Sequence, residues 1–159
     1  MFSKILVPTD FSEGNCIAIE NFEKMNRMQV GEVVLLHVID EVKLEEVMNG
    51  YSFFYNDEMK ELKDIEAKLK AEAMKKLESR VEAIKQSFKT DNVKPVVKIG
   101  IPWKEIVKTA DEEDVSLIML PSHGRLGFTH EFMGSTTIRV LKKTTKPVLI
   151  IKTAKEVKE

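Results

Sequence analysis

Five short apolar runs divide the chain, and amphipathic stretches separate them. Lys4-Ile5-Leu6-Val7-Pro8 is continuously apolar after its lysine, the pattern of a strand buried on both faces of a parallel sheet. Pro8 ends it, and Ser12 is placed to cap a helix. Cys16, Ile17, Ile19, Phe22, Met25 and Met28 then mark an amphipathic helix to about Arg27. Gly31 punctuates its end, and Glu32 to Ile39 forms the second apolar strand. A long stripe follows an irregular interval. Met59, Leu62, Ile65, Leu69, Ala73, Leu77, Val81, Ile84 and Phe88 recur at steps of three or four, which predicts a single helix from Asp57 to Lys89. At about 1.5 Å per residue it would span roughly 45–50 Å, more than a domain of this size accommodates, so a break or overhang is expected near its start.

Asn92 to Gly100 alternates and contains Pro95, as a half-buried edge strand would. Pro102 opens the next helix, with Ile106, Val107 and Ala110 facing inward. Val115 to Leu120 is the fourth strand, Ile138 to Lys143 has helical spacing, and Lys146 to Lys152 is the fifth strand. Strand and helix alternation of this kind predicts an α/β fold: an open parallel sheet with helices on both faces and right-handed crossovers. Residues 1–159 are expected to form a single domain. The excursion at 40–57 fits neither period. Its aromatics, Tyr51, Phe53, Phe54 and Tyr55, suit either a lid and partner surface or packing on the domain's own surface.

Ligands of such sheets bind beyond the carboxyl ends of the strands, where strand order reverses. Strands one and four are the expected central pair. Their ends carry Pro8-Thr9-Asp10 and Leu120-Pro121, the latter leading into a loop with Gly124, Gly127 and Gly134. Gly134-Ser135-Thr136-Thr137 opens a helix, and free N–H groups with hydroxyls beside them favour phosphate. The same residues also suit a plain strand–helix turn in which Ser135 is the N-cap. Asp10 could accept hydrogen bonds from ribose hydroxyls or an adenine amino group. His37-Val38-Ile39, closing strand two, would supply an apolar wall for a flat base.

Composition removes several other classes. Hydrophobic residues at 43% support a real core, and a net charge of -1 gives no pull toward nucleic acid or anionic membrane. A single cysteine allows no intrachain disulfide, and no Cys/His cluster has zinc spacing. No apolar run approaches the roughly 18 residues of a membrane helix. A cytoplasmic location is expected.

Taken together, Ile5 to Ser12, Leu35-Leu36-His37-Val38, Gly100-Ile101-Pro102, Ser122-His123-Gly124 followed after nine residues by Gly134-Ser135, and Lys146 to Ile150 resemble the universal stress protein family. The resemblance implies a Rossmann-like five-stranded sheet of order 3-2-1-4-5 and a homodimer. It also implies an adenine nucleotide, ATP or AMP, as ligand of a stress-response switch or adaptor. By position, Gly124, Gly134 and Ser135 match the glycine and hydroxyl positions of the family's ATP-binding branch, Asp10 its acidic residue and Val38 the residue beside adenine. The binding set expected is therefore Pro8, Thr9, Asp10, Val38, Leu120, Pro121, Gly124, Gly134, Ser135 and Thr136. Magnesium or manganese would accompany a triphosphate, held through its oxygens. The first family glycine is replaced by Pro121, which has no N–H to offer.

No catalytic constellation is visible. The Gly-Lys-Ser/Thr of a P-loop is absent, and no triad accompanies Ser122. His123, Arg125 and His130 lie in the loop without an obvious role. Three functions remain to be separated: nucleotide-binding module, non-nucleotide-binding dimeric stress protein, and slow ATP hydrolase. Pro147 to Ile151 is the candidate dimer edge, since an apolar edge strand suits pairing with its symmetry mate.

Overall fold

The computed structural model describes residues 2–27, 29–52, 58–122 and 133–153. In chain order these form β1 (Phe2–Pro8), α1 (Glu13–Met25), β2 (Val30–Asp40), α2 (Glu41–Ser52), α3 (Glu58–Glu78), α4 (Val81–Phe88), β3 (Val93–Gly100), α5 (Pro102–Glu112), β4 (Leu117–Pro121), α6 (Ser135–Lys143) and β5 (Val148–Ile151). The strands make one sheet of order β3-β2-β1-β4-β5, parallel at every pairing. The sheet matches the expected order, with β3 at an edge.

Side chains of a strand alternate between faces, and here each face has its own core. Ile5, Val7, Val33, Leu35, Leu117 and Met119 meet Ala18 and Phe22 of α1, Leu77 of α3, and Ile84 and Phe88 of α4. Phe22 and Phe88 stack with centroids 4.5 Å apart. On the other face Leu6, Val34, Leu36, Ile118 and Leu120 meet Ile106 and Ala110 of α5 and Val140 of α6. The unbroken apolar runs of β1, β2 and β4 are thus explained: both of their faces are covered.

Two expectations change. The long helix is not continuous, and its break lies near its end, at Ser79 and Arg80, where the Arg80 N–H donates to the Leu77 carbonyl at 2.9 Å. The excursion is partly helical, as α2, with Leu44 buried while Val42 and Val47 stay exposed. Residues 53–57, with the side chains of Tyr51 to Tyr55, lie outside what is described.

At the amino edge of the sheet, α5 ends on Glu112-Glu113-Asp114, three acids at the helix end that the macrodipole disfavours. Lysines answer them. Lys94 approaches Glu113 at 2.6 Å, Lys4 at 3.7 Å, and Lys146 reaches Asp114 at 2.6 Å. The Lys94 hydrogen bond holds the Glu113 carboxyl below the usual carboxylate range and raises the ammonium in turn.

Candidate functional site

The strand order reverses between β1 and β4, and the sheet splits there. Their ladder pairs Ile5 with Leu117 and Leu6 with Ile118 and runs no further toward the carboxyl ends. The cause is local chemistry. In a parallel ladder a residue bonds to the two residues flanking its partner. The next rung, Pro8 opposite Leu120, would need the N–H of residue 8 and the N–H of residue 121. Both are prolines and have none. The donors on either side confirm this parity. Thr9 N–H turns to the Leu36 carbonyl of β2 at 2.7 Å, and Ser122 N–H to the Ile151 carbonyl of β5 at 2.8 Å. The intervening nitrogens of Pro8 and Pro121 therefore face the gap. β1 stays paired with β2 as far as Pro8, and β4 with β5 as far as Pro121, so the gap has rigid walls.

One wall continues into the loop holding Asp10. Thr9 is buried and its hydroxyl accepts from Phe11 N–H at 3.1 Å. The Asp10 carboxylate accepts from Ser12 N–H at 2.9 Å, and the Ser12 hydroxyl caps α1 by accepting from Asn15 N–H at 3.4 Å. Ser12 is the expected N-cap. Phe11, between Asp10 and Ser12, has a φ of 61°, in the left-handed region that residues with a Cβ rarely enter.

The other wall leads to α6. The N-cap is Gly134, not Ser135, and no side chain caps the helix. Gly134 N–H is committed to the Ser122 carbonyl at 3.0 Å. The amides of Ser135, Thr136 and Thr137 open the helix and have no intrahelical acceptor. Thr137 is buried, and its hydroxyl donates to the Pro121 carbonyl at 3.0 Å. Ser122 is a structural knot. Its hydroxyl accepts from Thr153 N–H at 3.1 Å, which ties the end of β4 to the end of β5. Val38 and Leu120 belong to the core face that α5 and α6 cover, so the apolar wall and the open helix end share a side of the sheet.

Of the expected set, Pro8, Thr9 and Asp10 lie at and just beyond the carboxyl end of β1, Leu120 and Pro121 close the neighbouring β4, and Gly134, Ser135 and Thr136 open α6, with Val38 near the end of β2 on the face that α5 and α6 cover. Gly124, with His123, Arg125 and His130, lies outside the described residues. The sequence names Thr137 only among the hydroxyls at the helix start and does not single out its bond to Pro121, although a hydroxyl one turn before buried Val140 signals a polar group on an inward helix face. It also passed over Phe11, which nothing but its place beside Asp10 marks. Among the described residues no cluster of three metal-ligating side chains occurs and no helix is long and apolar enough to cross a membrane.

The universal stress protein family model matches residues 1–152. Universal stress protein MJ0577 of Methanocaldococcus jannaschii is 36% identical over 159 residues, covering 96% of each chain. A solved structure of MJ0577, 35% identical, superposes with a TM-score of 0.74 across 98% of this chain and 99% of that one. The crystal structure of the hypothetical protein PH0823 is 56% identical, with a TM-score of 0.83 over 98% of this chain and 99% of that one. A more distant universal stress protein from Archaeoglobus fulgidus, in complex with dAMP, shares the fold at 22% identity and a TM-score of 0.51, over 94% and 98% of the two chains. The chain belongs to the universal stress protein family.

Proposed function

We propose that this universal stress protein is an adenine-nucleotide-binding module that works as a switch or adaptor in stress responses. The observation that carries the reading is the split between β1 and β4, with an acid on one rim and an uncapped helix N-terminus on the other. In that crevice Asp10 would accept from ribose or adenine donors, and the opening amides of α6 would take phosphate. Val38 would flank the base. Magnesium or manganese fits only as a partner of the phosphates, since the described side chains gather no ligand cluster. The dAMP complex of the Archaeoglobus fulgidus relative is a property of that protein, and it fits this reading of the fold. Calorimetric titration of the purified chain with ATP, ADP and AMP tests it. Binding by at least one nucleotide, weakened in Asp10→Ala, is expected. No heat and no change in melting temperature at millimolar concentrations of all three would overturn it.

Pro121 favours a second reading, a dimeric stress protein that has dispensed with nucleotide, because the crevice lacks the backbone donor of the family glycine. Self-association through β5 belongs to both readings. Val148, Leu149 and Ile150 are half-buried on the exposed edge of the sheet, and light scattering at micromolar concentration distinguishes dimer from monomer. Hydrolysis is expected to be slow, since the sequence shows no catalytic constellation beside the phosphate-binding residues.

A further inference from the structure

We infer that Phe11 is a positioning residue for Asp10, braced by His37 and by Lys76 and Arg80 at the α3–α4 break, so that this brace governs nucleotide affinity from the far face of the sheet; the inference rests on the nucleotide reading above.

The argument starts from the backbone. The Asp10 carboxylate reaches over Phe11 to the Ser12 N–H at 2.9 Å. That closure depends on Phe11 holding its φ of 61°. A phenylalanine resists this conformation, so something outside the loop must hold it. Its ring is held from several directions. The His37 ring lies against it with centroids 4.5 Å apart. The Arg80 guanidinium stands 5.4 Å and the Lys76 ammonium 5.7 Å from its centroid, within reach of cation–π attraction. The clamps are themselves fixed. His37 Nδ1 donates to the Thr9 carbonyl at 2.8 Å, and an Arg80 N–H donates to Cys16 Sγ at 3.3 Å. Contacts from β2, α3 and the residue before α4 thus converge on the residue beside Asp10, and α1 fixes one of them by holding Arg80 through Cys16. This also gives the break at Ser79 and Arg80 a role: it turns Arg80 onto the loop.

Titration of the full chain with ATP tests this in wild type, Asp10→Ala, Arg80→Ala, Phe11→Gly, Phe11→Tyr and the double variant Asp10→Ala/Arg80→Ala. Arg80→Ala and Phe11→Gly are each expected to weaken ATP about three- to tenfold, the scale of one lost cation–π contact or slightly more. Phe11→Tyr keeps wild-type affinity. The deciding result is the double variant. If Arg80 acts through Asp10, removing it costs nothing further once Asp10 is gone. If its charge merely attracts ATP, the two losses multiply, and the inference is wrong. It is equally wrong if Arg80→Ala and Phe11→Gly both bind like wild type. Should Phe11→Gly fail to fold, the Arg80 cycle decides alone. Absence of ATP binding by the wild type defeats the nucleotide reading itself, a different outcome from binding that is indifferent to the brace.

Discussion

The Thr137 hydroxyl donates to the Pro121 carbonyl over 3.0 Å and ties the first turn of α6 to the last residue of β4. Both groups are buried, so the bond is shielded from water. Thr137→Val keeps the shape and deletes the donor, leaving a buried carbonyl short of a partner. A loss of about 1–3 kcal/mol is expected in urea unfolding. Thr137→Ser should recover most of it. If Thr137→Val is as stable as wild type, the bond does not hold α6 in place.

Pro121 itself leads to a second prediction. Pro121→Gly supplies an N–H aimed into the gap between β1 and β4. ATP is expected to bind more tightly by about 0.5–1.5 kcal/mol, a few-fold to tenfold in Kd. The unfolded chain gains freedom, so stability should fall by about 0.5–1 kcal/mol. The competing outcome is specific. The new N–H could instead close the missing rung on the Pro8 carbonyl, which would raise stability and lower affinity. Calorimetry and urea melts on one variant separate the two.

Much of this was legible because burial writes itself into composition. Ile5-Leu6-Val7 reads as a central strand since both its faces are covered, and Val93 to Gly100 reads as an edge since it alternates and holds Pro95. That Asp10 and the glycine loop follow the ends of adjacent strands, β1 and β4, was legible from topology alone. The split was not. It depends on Pro8 and Pro121 sharing a missing rung, a property of register between two strands that neither shows alone. The break at Arg80 was equally hidden. Leu77, Val81, Ile84 and Phe88 keep helical spacing across it, with no glycine or proline to mark it, while Arg80 meets Phe11 and Cys16, which are distant in sequence. Helix α2 was missed because Val42 and Val47 are apolar yet exposed, which blurs the stripe that Leu44 defines.

Gly31, at the start of β2, has no room for a side chain. A Cβ there would sit 2.4 Å from the Ser3 carbonyl oxygen of β1, a backbone atom held in the sheet. The Gly31 carbonyl is also held by Thr90 Oγ1 at 3.1 Å and Asn92 Nδ2 at 3.2 Å, so β2 cannot simply slide. Gly31→Ala is expected to cost about 1–3 kcal/mol by overpacking, read as a lower denaturation midpoint. A neutral result would mean that the β1–β2 pairing yields at its start.

The cluster at the end of α5 contributes to the acid limb of stability. Glu113 has a depressed folded pKa, first through its hydrogen bond to Lys94. Its contribution is therefore present above the unfolded carboxylate pKa, near about 4, and is lost as pH falls through the folded value. Lys94 is raised, so its share holds below its unfolded pKa and is lost only as pH climbs through the folded one. Both shares are intact at neutral pH. Glu113→Gln should lower stability at pH 7 by about 1 kcal/mol or less, the scale of a surface pair. The gap from wild type should close toward pH 3 and shrink in high salt. An equal gap at pH 7 and pH 3 would show that packing, not charge, is what the substitution removed.

Lys89 and Phe11 both occupy the left-handed region, at φ 51° and 61°, yet glycine should affect them oppositely. Lys89 is the C-cap of α4, and its side chain is exposed. A glycine there relieves the Cβ crowding with little else to lose. It adds freedom to the unfolded chain, which offsets part of the relief, so Lys89→Gly should stabilise by about 0.5–1 kcal/mol. Phe11→Gly relieves the same crowding but forfeits the ring contacts with His37, Lys76 and Arg80. Thermal melts of the two variants should therefore move apart, Lys89→Gly upward and Phe11→Gly level or downward. If both rise together, the ring contacts contribute too little to hold the loop, and Phe11 is strained without being braced.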